Sequence, residues 1–294
     1  MTLPLLVGVC TFRRPFLIET VRSLAAQSRR PDRVIIIDND DQSTAEKIVD
    51  AARDETGLDL FYRHVPGRNI ALARNAILDA AGDARLAMLD DDEIADAEWL
   101  AQLEIAMSKG ADAVFGPSIA VYPENAPDWM GHLSPHSQWP PQKGGRLTSG
   151  HTANVLMDTT APVLANRRFD PAYGRRGGSD AVFFEAALRE GARFHLVADA
   201  RVYEPVIAQR LSTRWLYRRR IKAGITIGLS TPGRRSRRAV LAMGKSAYCF
   251  GRAALAIGDP VARHRHGLRG ALHVGVLRGT LGLSGADYYG KAPV

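Results

Sequence analysis

Cysteine is nearly absent from this 294-residue chain: Cys10 and Cys249 lie far apart in sequence, each in apolar surroundings. Two such residues exclude a disulfide framework or a cysteine-ligated zinc module, and they suit a reducing compartment. No stretch offers roughly 18 uninterrupted apolar residues, so no spanning helix is expected. The opening MTLPLLVGVCTF lacks the basic start and longer apolar run of a signal peptide and reads as a first strand. Repeats and low-complexity tracts are missing too. Acidic residues are scarce in one region only: residues 201–294 hold 3 Asp and Glu against 18 Lys and Arg, whereas residues 1–200 hold 28 against 21. That division points to two parts with different jobs, the basic one suited to an anionic partner such as nucleic acid or an anionic membrane surface. What is present, 46% hydrophobic and 24% charged residues, is ordinary globular composition with enough length for a large core.

Short apolar runs at residues 3–9, 33–38, 58–65 and 85–90 alternate with helical spacings: Ile18, Val21, Leu24 and Ala25; then Ile48, Ala51 and Ala52; then Ile70, Ala73, Ile77 and Leu78. Strand, helix, strand, helix predicts a largely parallel sheet covered on both faces, with ligands gathering beyond the carboxyl ends of the strands. Gly67, Arg68 and Asn69 read as a turn and cap before the third helix. Residues 116–150, broken by many prolines and by Gly144 and Gly145, read as a long irregular lid or binding loop, and Tyr122, Trp129 and Trp139 argue against disorder there. A helix over 179–191 and a strand at RFHLVAD follow.

The run LDDDEIAD sets Asp90, Asp91, Asp92 and Glu93 directly behind a buried-strand pattern. Asp90 and Asp92 can present oxygens to one divalent cation while Asp91 points elsewhere, and hard oxygen ligands suit Mg or Mn. The residues alone leave open a solvated turn, with Glu93, Asp96 and Glu98 favouring the start of the next helix. His132, His136 and His151 do not have the spacing of a zinc site.

Five segments occur in one order: VGVCTFRRP and IIIDND at the first two strand ends, NIALARNAIL before the acids, then GGSDAVFFEAALREG and ARVYEP. Over residues 4–222 this set resembles the family 2 inverting nucleotide-sugar glycosyltransferases with the A-type fold, especially bacterial members that build exopolysaccharides or other surface glycans. The resemblance implies an α/β, Rossmann-like GT-A fold with a mostly parallel sheet. It implies a catalytic domain at 1–222, divided into a nucleotide-binding half (1–115) and an acceptor-binding half (116–222). A helical, amphipathic, basic and membrane-associating region is then expected at 223–294.

The resemblance also implies residue roles. Phe12 stacks on the base, Asp38 accepts a hydrogen bond from it, Thr11 or Arg13 lines that pocket, and Arg74 lies near the diphosphate. Asp90 to Asp92 match the Asp-x-Asp motif, with Asp92 on the metal and Asp90 or Asp91 at ribose, sugar or metal-bound water. Glu204 stands where many relatives have a histidine ligand; its other role would be a salt bridge. Asp180 is the candidate base, preceded by Ser179 in place of the family's Glu, and its plain alternative is a helix cap. Gly150 and Asn154 border the donor sugar. Arg214, Trp215, Arg218 and Arg219 reach a donor or acceptor phosphate, the other reading of Arg218, Arg219 and Arg220 being a solvated helical face.

Beyond residue 222, Arg238, Lys245 and Arg252 recur every seven residues and leave an apolar side, the pattern of a helix lying on an anionic interface; packing on the catalytic core is the other reading. The expected activity is metal-dependent, inverting transfer of a sugar from a UDP-sugar to a saccharide or polyprenyl-diphosphate-linked acceptor in bacterial polysaccharide synthesis, by a cytoplasmic protein peripheral on the inner face of the membrane. A Mg-dependent sugar-phosphate nucleotidyltransferase would carry a Gly-rich loop where CTFRRPF has no glycine. A nucleic-acid-binding protein fits poorly with an acidic N-terminal part and no aromatic and basic interleaving, so no nucleic-acid partner is expected.

Overall fold

A computed structural model describes residues 3–175, 177–231 and 233–283. Met1 and Thr2 of the expected catalytic domain and residues 284–294 of the expected C-terminal region lie outside the described residues. The elements run β1 (Leu5–Thr11), α1 (Leu17–Ala25), β2 (Arg33–Asp38), α2 (Glu46–Thr56), β3 (Leu60–His64), α3 (Ile70–Ala81), β4 (Arg85–Asp90), β5 (Ile94–Ala95), α4 (Trp99–Met107), β6 (Ala113–Phe115), β7 (Ser118–Val121) and α5 (Asp128–Leu133). They continue with the hairpin β8 (Gln142–Lys143) and β9 (Arg146–Leu147), then β10 (Asn154–Asp158), α6 (Ser179–Arg189), β11 (Phe194–Leu196), β12 (Val202–Pro205), α7 (Thr213–Ser230), α8 (Arg235–Leu255) and α9 (Pro260–Thr280).

The period-two pattern of the apolar runs sorts their side chains onto two cores. Leu5, Val7 and Val9 of β1, with Val34 and Ile36 of β2, pack against Leu17, Val21 and Leu24 of α1 and Leu100 and Leu103 of α4. Leu6, Ile35 and Ile37 face the other way, toward Ala73 and Ile77 of α3 and Phe183 and Phe184 of α6. A sheet buried on both faces results, in the order β11-β6-β10-β4-β1-β2-β3. β1 to β4 are parallel where they pair, and β10 runs antiparallel between β4 and β6. Gly8 sets how closely α3 approaches β1, because a Cβ there would stand 2.4 Å from Ile77 Cγ2. As the sequence implies, Asn69 caps α3, its side chain accepting from the amides of Ala71 and Leu72.

The register aligns the carboxyl ends of the central strands: Thr11 stands beside Asp38, and Cys10 beside Asp90. β5 pairs with β12, setting Ile94 against Tyr203 and so bringing Glu204 to the turn that carries the acids.

The chain forms two compact units, one of residues up to Ile119 together with Ser137–Glu204, the other of Ala120–His136 and the chain from Pro205. The expected boundary after residue 222 falls inside α7, and residues 120–136, expected in the acceptor-binding half, cluster with the C-terminal helices. In this second unit α7 and α9 touch backbone to backbone through Gly224 and Gly228 against Gly275 and Gly279. A Cβ on Gly224 would meet the Leu272 carbonyl at 2.1 Å and one on Gly279 the Ile225 carbonyl at 2.2 Å. Arg238 turns inward, donating to the Gly228 carbonyl and, at 3.3 Å, to the Thr280 hydroxyl. It therefore does not share an outer face with Lys245 and Arg252. Among the described residues no helix is long and apolar enough to cross a membrane.

Candidate active site

Beyond β1 the backbone reverses at Arg13, a non-glycine residue with φ of 54°. The reversal sends two adjacent arginines to different carboxylates. Arg13 meets Asp40 at 2.6 Å, with its guanidinium 5.3 Å from the Phe12 ring centre. Arg14 reaches Asp92 at 3.3 Å and Asp91 at 3.8 Å. The hydrogen bond from Arg13 holds the buried Asp40 carboxyl below the usual carboxylate range. Neither Asp40 nor Arg14 stood out in the sequence, where a second arginine in TFRRP and a further acid in IIIDND were the only signals.

Several residues expected to face the nucleotide are committed to protein contacts. Asp38 is fully buried and accepts from the amides of Asp40 (3.1 Å) and Ala45 (2.9 Å) and from the Tyr62 hydroxyl (3.1 Å), fixing the loop into α2. Thr11 is 1% exposed and donates its hydroxyl to Asp91 at 2.7 Å, while the Phe12 amide donates to the same oxygen at 3.3 Å. Asp91 thus ties the β1 loop to the acidic turn. Asn154, expected to border the sugar, is likewise committed to the fold. It is fully buried; its Oδ1 accepts from the Trp99 indole at 2.9 Å and its Nδ2 donates to the carbonyls of Pro117 (2.9 Å) and Ala200 (2.7 Å). Every polar atom of that amide is used inside the fold. Gly150 packs against Phe115 and Phe184, so tightly that a Cβ there would lie 2.3 Å from the Phe115 ring.

The four acids divide. Asp91 and Glu93 are buried, at 8% and 1% exposure, whereas Asp90 and Asp92 are half-buried. Glu93 folds back to accept the Asp90 amide at 2.9 Å. Burial pushes the Asp90 carboxyl up to about 7, helped by the like charges of Asp92, Glu204 and Asp180 and opposed by Arg74. Burial, and then the Asp92 charge, push Asp91 up to about 7 as well. The sequence-predicted residues Asp90, Asp92, Glu204, Asp180 and Arg74 therefore share one electrostatic neighbourhood at the strand ends. Their side chains are not assembled as ligands: among the described residues no group of three His, Cys, Asp or Glu stands ready to hold a metal ion.

Arg74 leaves the apolar side of α3 to donate to the Ser179 hydroxyl at 2.8 Å, with its guanidinium 5.6 Å from the Phe169 ring centre. Ser179 opens α6 after Gly177 and Gly178, whose φ values of 85° and 92° only glycine adopts freely. Asp180 follows in the first turn, accepting the amide of Ala181 at 2.9 Å.

Of the remaining expected residues, Arg214, Trp215, Arg218 and Arg219 lie on α7 in the second unit. Arg214 and Arg218 are exposed. Trp215 stacks on His136, ring centres 5.3 Å apart, and the Arg210 and Arg219 guanidinium groups stand 5.7 Å and 5.3 Å from its ring centre. His136 is itself buried between the Tyr122 hydroxyl (2.9 Å) and the Arg210 carbonyl (3.0 Å), and burial pushes it down to about 4. Sequence spacing gave no hint of that stack.

The family model described as Glycosyl transferase family 2 matches residues 6–169. The succinoglycan biosynthesis protein ExoM of Rhizobium meliloti (strain 1021) is 40% identical over 302 residues, covering 100% of this chain and 98% of its own length. Among solved structures, the mannosyltransferase PcManGT of Pyrobaculum calidifontis, in complex with GDP-Man and Mn2+, aligns with a TM-score of 0.62 at 15% identity over 95% of this chain and 87% of its own. The S. aureus TarS 1-349 structure in complex with UDP-GlcNAc gives 0.54 at 14% identity over 94% and 91%. These two likenesses establish the A-type glycosyltransferase fold. With a family model across more than half its length and a full-length relative of this identity, the chain belongs to glycosyl transferase family 2 and is a glycosyltransferase.

Proposed function

We propose that this protein transfers a sugar, with inversion, from a UDP-sugar to a saccharide hydroxyl during bacterial exopolysaccharide assembly, the acceptor being carried on a polyprenyl diphosphate. The observation that carries the reading is that the charges of Asp92, Glu204, Asp180 and Arg74 all act on Asp90 at the end of β4, with Arg74 tied to the start of α6 through Ser179. The ExoM relative supports the polysaccharide context, and the neighbours with UDP-GlcNAc and GDP-Man support a nucleotide-sugar donor.

Inversion requires a carboxylate facing the acceptor hydroxyl on the side opposite the leaving group. Asp180 takes that proton as the hydroxyl oxygen attacks the anomeric carbon, and the bond to the diphosphate breaks with its electron pair leaving on UDP. The amino end of α6 favours the ionised Asp180 needed for this. Arg74, a planar cation on the rigid α3, meets the developing diphosphate charge.

The donor set fits a hard divalent ion, Mn or Mg, since it is made only of carboxylates and carries negative charge enough to raise Asp90. Asp92 and Glu204 would hold the ion, Asp92 exchanging Arg14 for it. Bound there, the ion would neutralise charge on the departing diphosphate.

The second unit carries a surface suited to a membrane. On α8, Leu241, Tyr248 and Leu255 are 50%, 66% and 82% exposed, with Lys245 and Arg252 exposed on the same helix. This combination of apolar and basic surface favours a helix lying on an anionic bilayer, within reach of a lipid-linked saccharide.

Asp180→Asn tests the reading. Transfer from radiolabelled UDP-sugars to lipid-linked acceptor should fall by roughly 100- to 10,000-fold, the range of general-base catalysis, while calorimetry shows UDP binding unchanged. Equal loss of both, or full activity, defeats the assignment.

A further inference from the structure

His151 precedes β10 in the segment Gly150, His151, Thr152, and both of its ring nitrogens are buried without a hydrogen-bond partner. The adjacent Thr152 hydroxyl, on a residue 2% exposed, is also buried and unpartnered. A buried polar group left unsatisfied costs about 1–3 kcal/mol, so native folds keep few of them. Two in one short segment mark a place completed by something other than this protein.

The surroundings indicate what. Burial lowers the pKa of the imidazole and so favours its neutral form; the Asp180 charge opposes this and the Arg74 charge adds to it. The ring stands edge-on to Phe115, centres 6.5 Å apart and planes at 67°. Tight packing at Gly150 fixes the backbone just before it. Ser149 adds a weak tie to α6, its hydroxyl donating to the Ala181 carbonyl at 3.5 Å. His151 is therefore held in place within electrostatic reach of the carboxylate assigned as base and the arginine assigned to the diphosphate, its segment tied to α6 next to Asp180.

A neutral imidazole offers one donor and one acceptor, as does a hydroxyl. Resting on the sugar-transfer reading above, we propose that His151 is a substrate-binding residue that hydrogen-bonds a sugar hydroxyl next to the reacting centre. The hydroxyl belongs either to the transferred sugar or to the acceptor sugar, and the two sources separate experimentally.

Imidazole resonances of selectively 15N-labelled histidine, assigned with His151→Phe, would be followed on adding UDP, then each of UDP-glucose, UDP-galactose, UDP-GlcNAc and UDP-glucuronic acid, then a lipid-linked saccharide extract. A shift at His151 with a sugar-bearing donor but not with UDP identifies the transferred sugar, and a shift only with the extract identifies the acceptor. No shift at His151 with any of them overturns the proposal.

Kinetics supply the second arm. Phe fills the same space without polar atoms, so His151→Phe should keep the wild-type Tm or raise it while kcat/KM falls about tenfold, the worth of one neutral hydrogen bond. His151→Gln, which retains a donor and an acceptor, should recover part of that loss. Unchanged kcat/KM in His151→Phe, or a loss of activity that only follows a loss of Tm, also overturns it. Asp180→Asn run alongside separates the two readings: if it abolishes transfer while His151→Phe does not, only the histidine assignment falls.

Discussion

Asp91→Asn should flatten the pH dependence of stability in the metal-free protein. Asp91 is 8% exposed and its carboxyl is pushed up to about 7, first by burial and then by Asp92. An unfolded aspartate titrates near ~3.9. The raised value means the folded state holds this proton more tightly than the unfolded chain does. Below about pH 4 both states are protonated and the group costs nothing. As the pH climbs from about 4 to about 7 the unfolded chain ionises while the folded one resists, so stability is lost throughout that window. Three units at about 1.4 kcal/mol each give a fall of roughly 4 kcal/mol.

Asparagine is neutral at every pH, keeps an oxygen for the Thr11 hydroxyl and the Phe12 amide, and removes this contribution. Its extra amide hydrogens shift the baseline by an amount that does not vary with pH, so the difference in slope is the quantity to read. Urea denaturation in EDTA, followed by circular dichroism at intervals between about pH 4 and pH 8, would measure it. The gap between the stability curves of the two proteins should change by several kcal/mol from the acid end to neutrality, in favour of the variant. Parallel curves would show that the buried carboxyl is not held against ionisation, and the picture of an over-charged strand-end cluster would fail with it.

Asn154→Ala should destabilise by roughly 3–5 kcal/mol, because the Trp99 indole and two buried carbonyls lose their partner together; a donor KM that rises with unchanged urea stability would return this residue to the sugar pocket. Arg14→Gln should tighten Mn binding about fivefold, since the Arg14 and Asp92 side chains are 33% and 20% exposed and such a pair is worth about 1 kcal/mol after screening; equal or weaker binding by paramagnetic resonance titration would count against Asp92 as ligand. The full chain should float with phosphatidylglycerol vesicles at low salt and be released by high salt, and Leu241→Glu with Tyr248→Glu should abolish flotation while leaving urea stability unchanged; flotation equal on neutral phosphatidylcholine would remove the electrostatic share of the docking.

The sheet was legible because its signals are local. Leu5, Val7 and Val9 alternate with Leu6, the turn residues follow each run, and Asn69 announces its helix by side-chain type alone. The identity of the strand-end residues was legible for the same reason. Whether those side chains are free for a ligand was not, since that depends on partners distant in sequence: Thr11 and Asp91 are 80 residues apart, and Asn154 and Trp99 are 55 apart. The turn at Arg13 was equally hidden, and with it the pairing of Arg13 with Asp40 and of Arg14 with Asp92. The continuity of helix α7 through residue 222 was not legible, because α7 packs against α9 by a glycine contact that no polarity pattern reports.

Four consecutive acids at one strand end would repel one another apart unless the loop itself held some of them. Asp91 and Glu93 do so from within: one is anchored by the Thr11 hydroxyl and the Phe12 amide, the other by the Asp90 amide, and both are shielded from solvent. Their neighbours Asp90 and Asp92 are left less buried, on the side where Glu204, Asp180 and Arg74 act. The motif thus divides its labour by position, odd acids bracing the turn and even acids forming the charge cluster in the numbering 91, 93 against 90, 92. Losing Glu93 should then impair the site through the placement of Asp90 and not through any contact of its own with substrate. A cluster braced in this way can stay poised against its own repulsion before a cation or a donor arrives, which is the preorganisation that transfer chemistry needs.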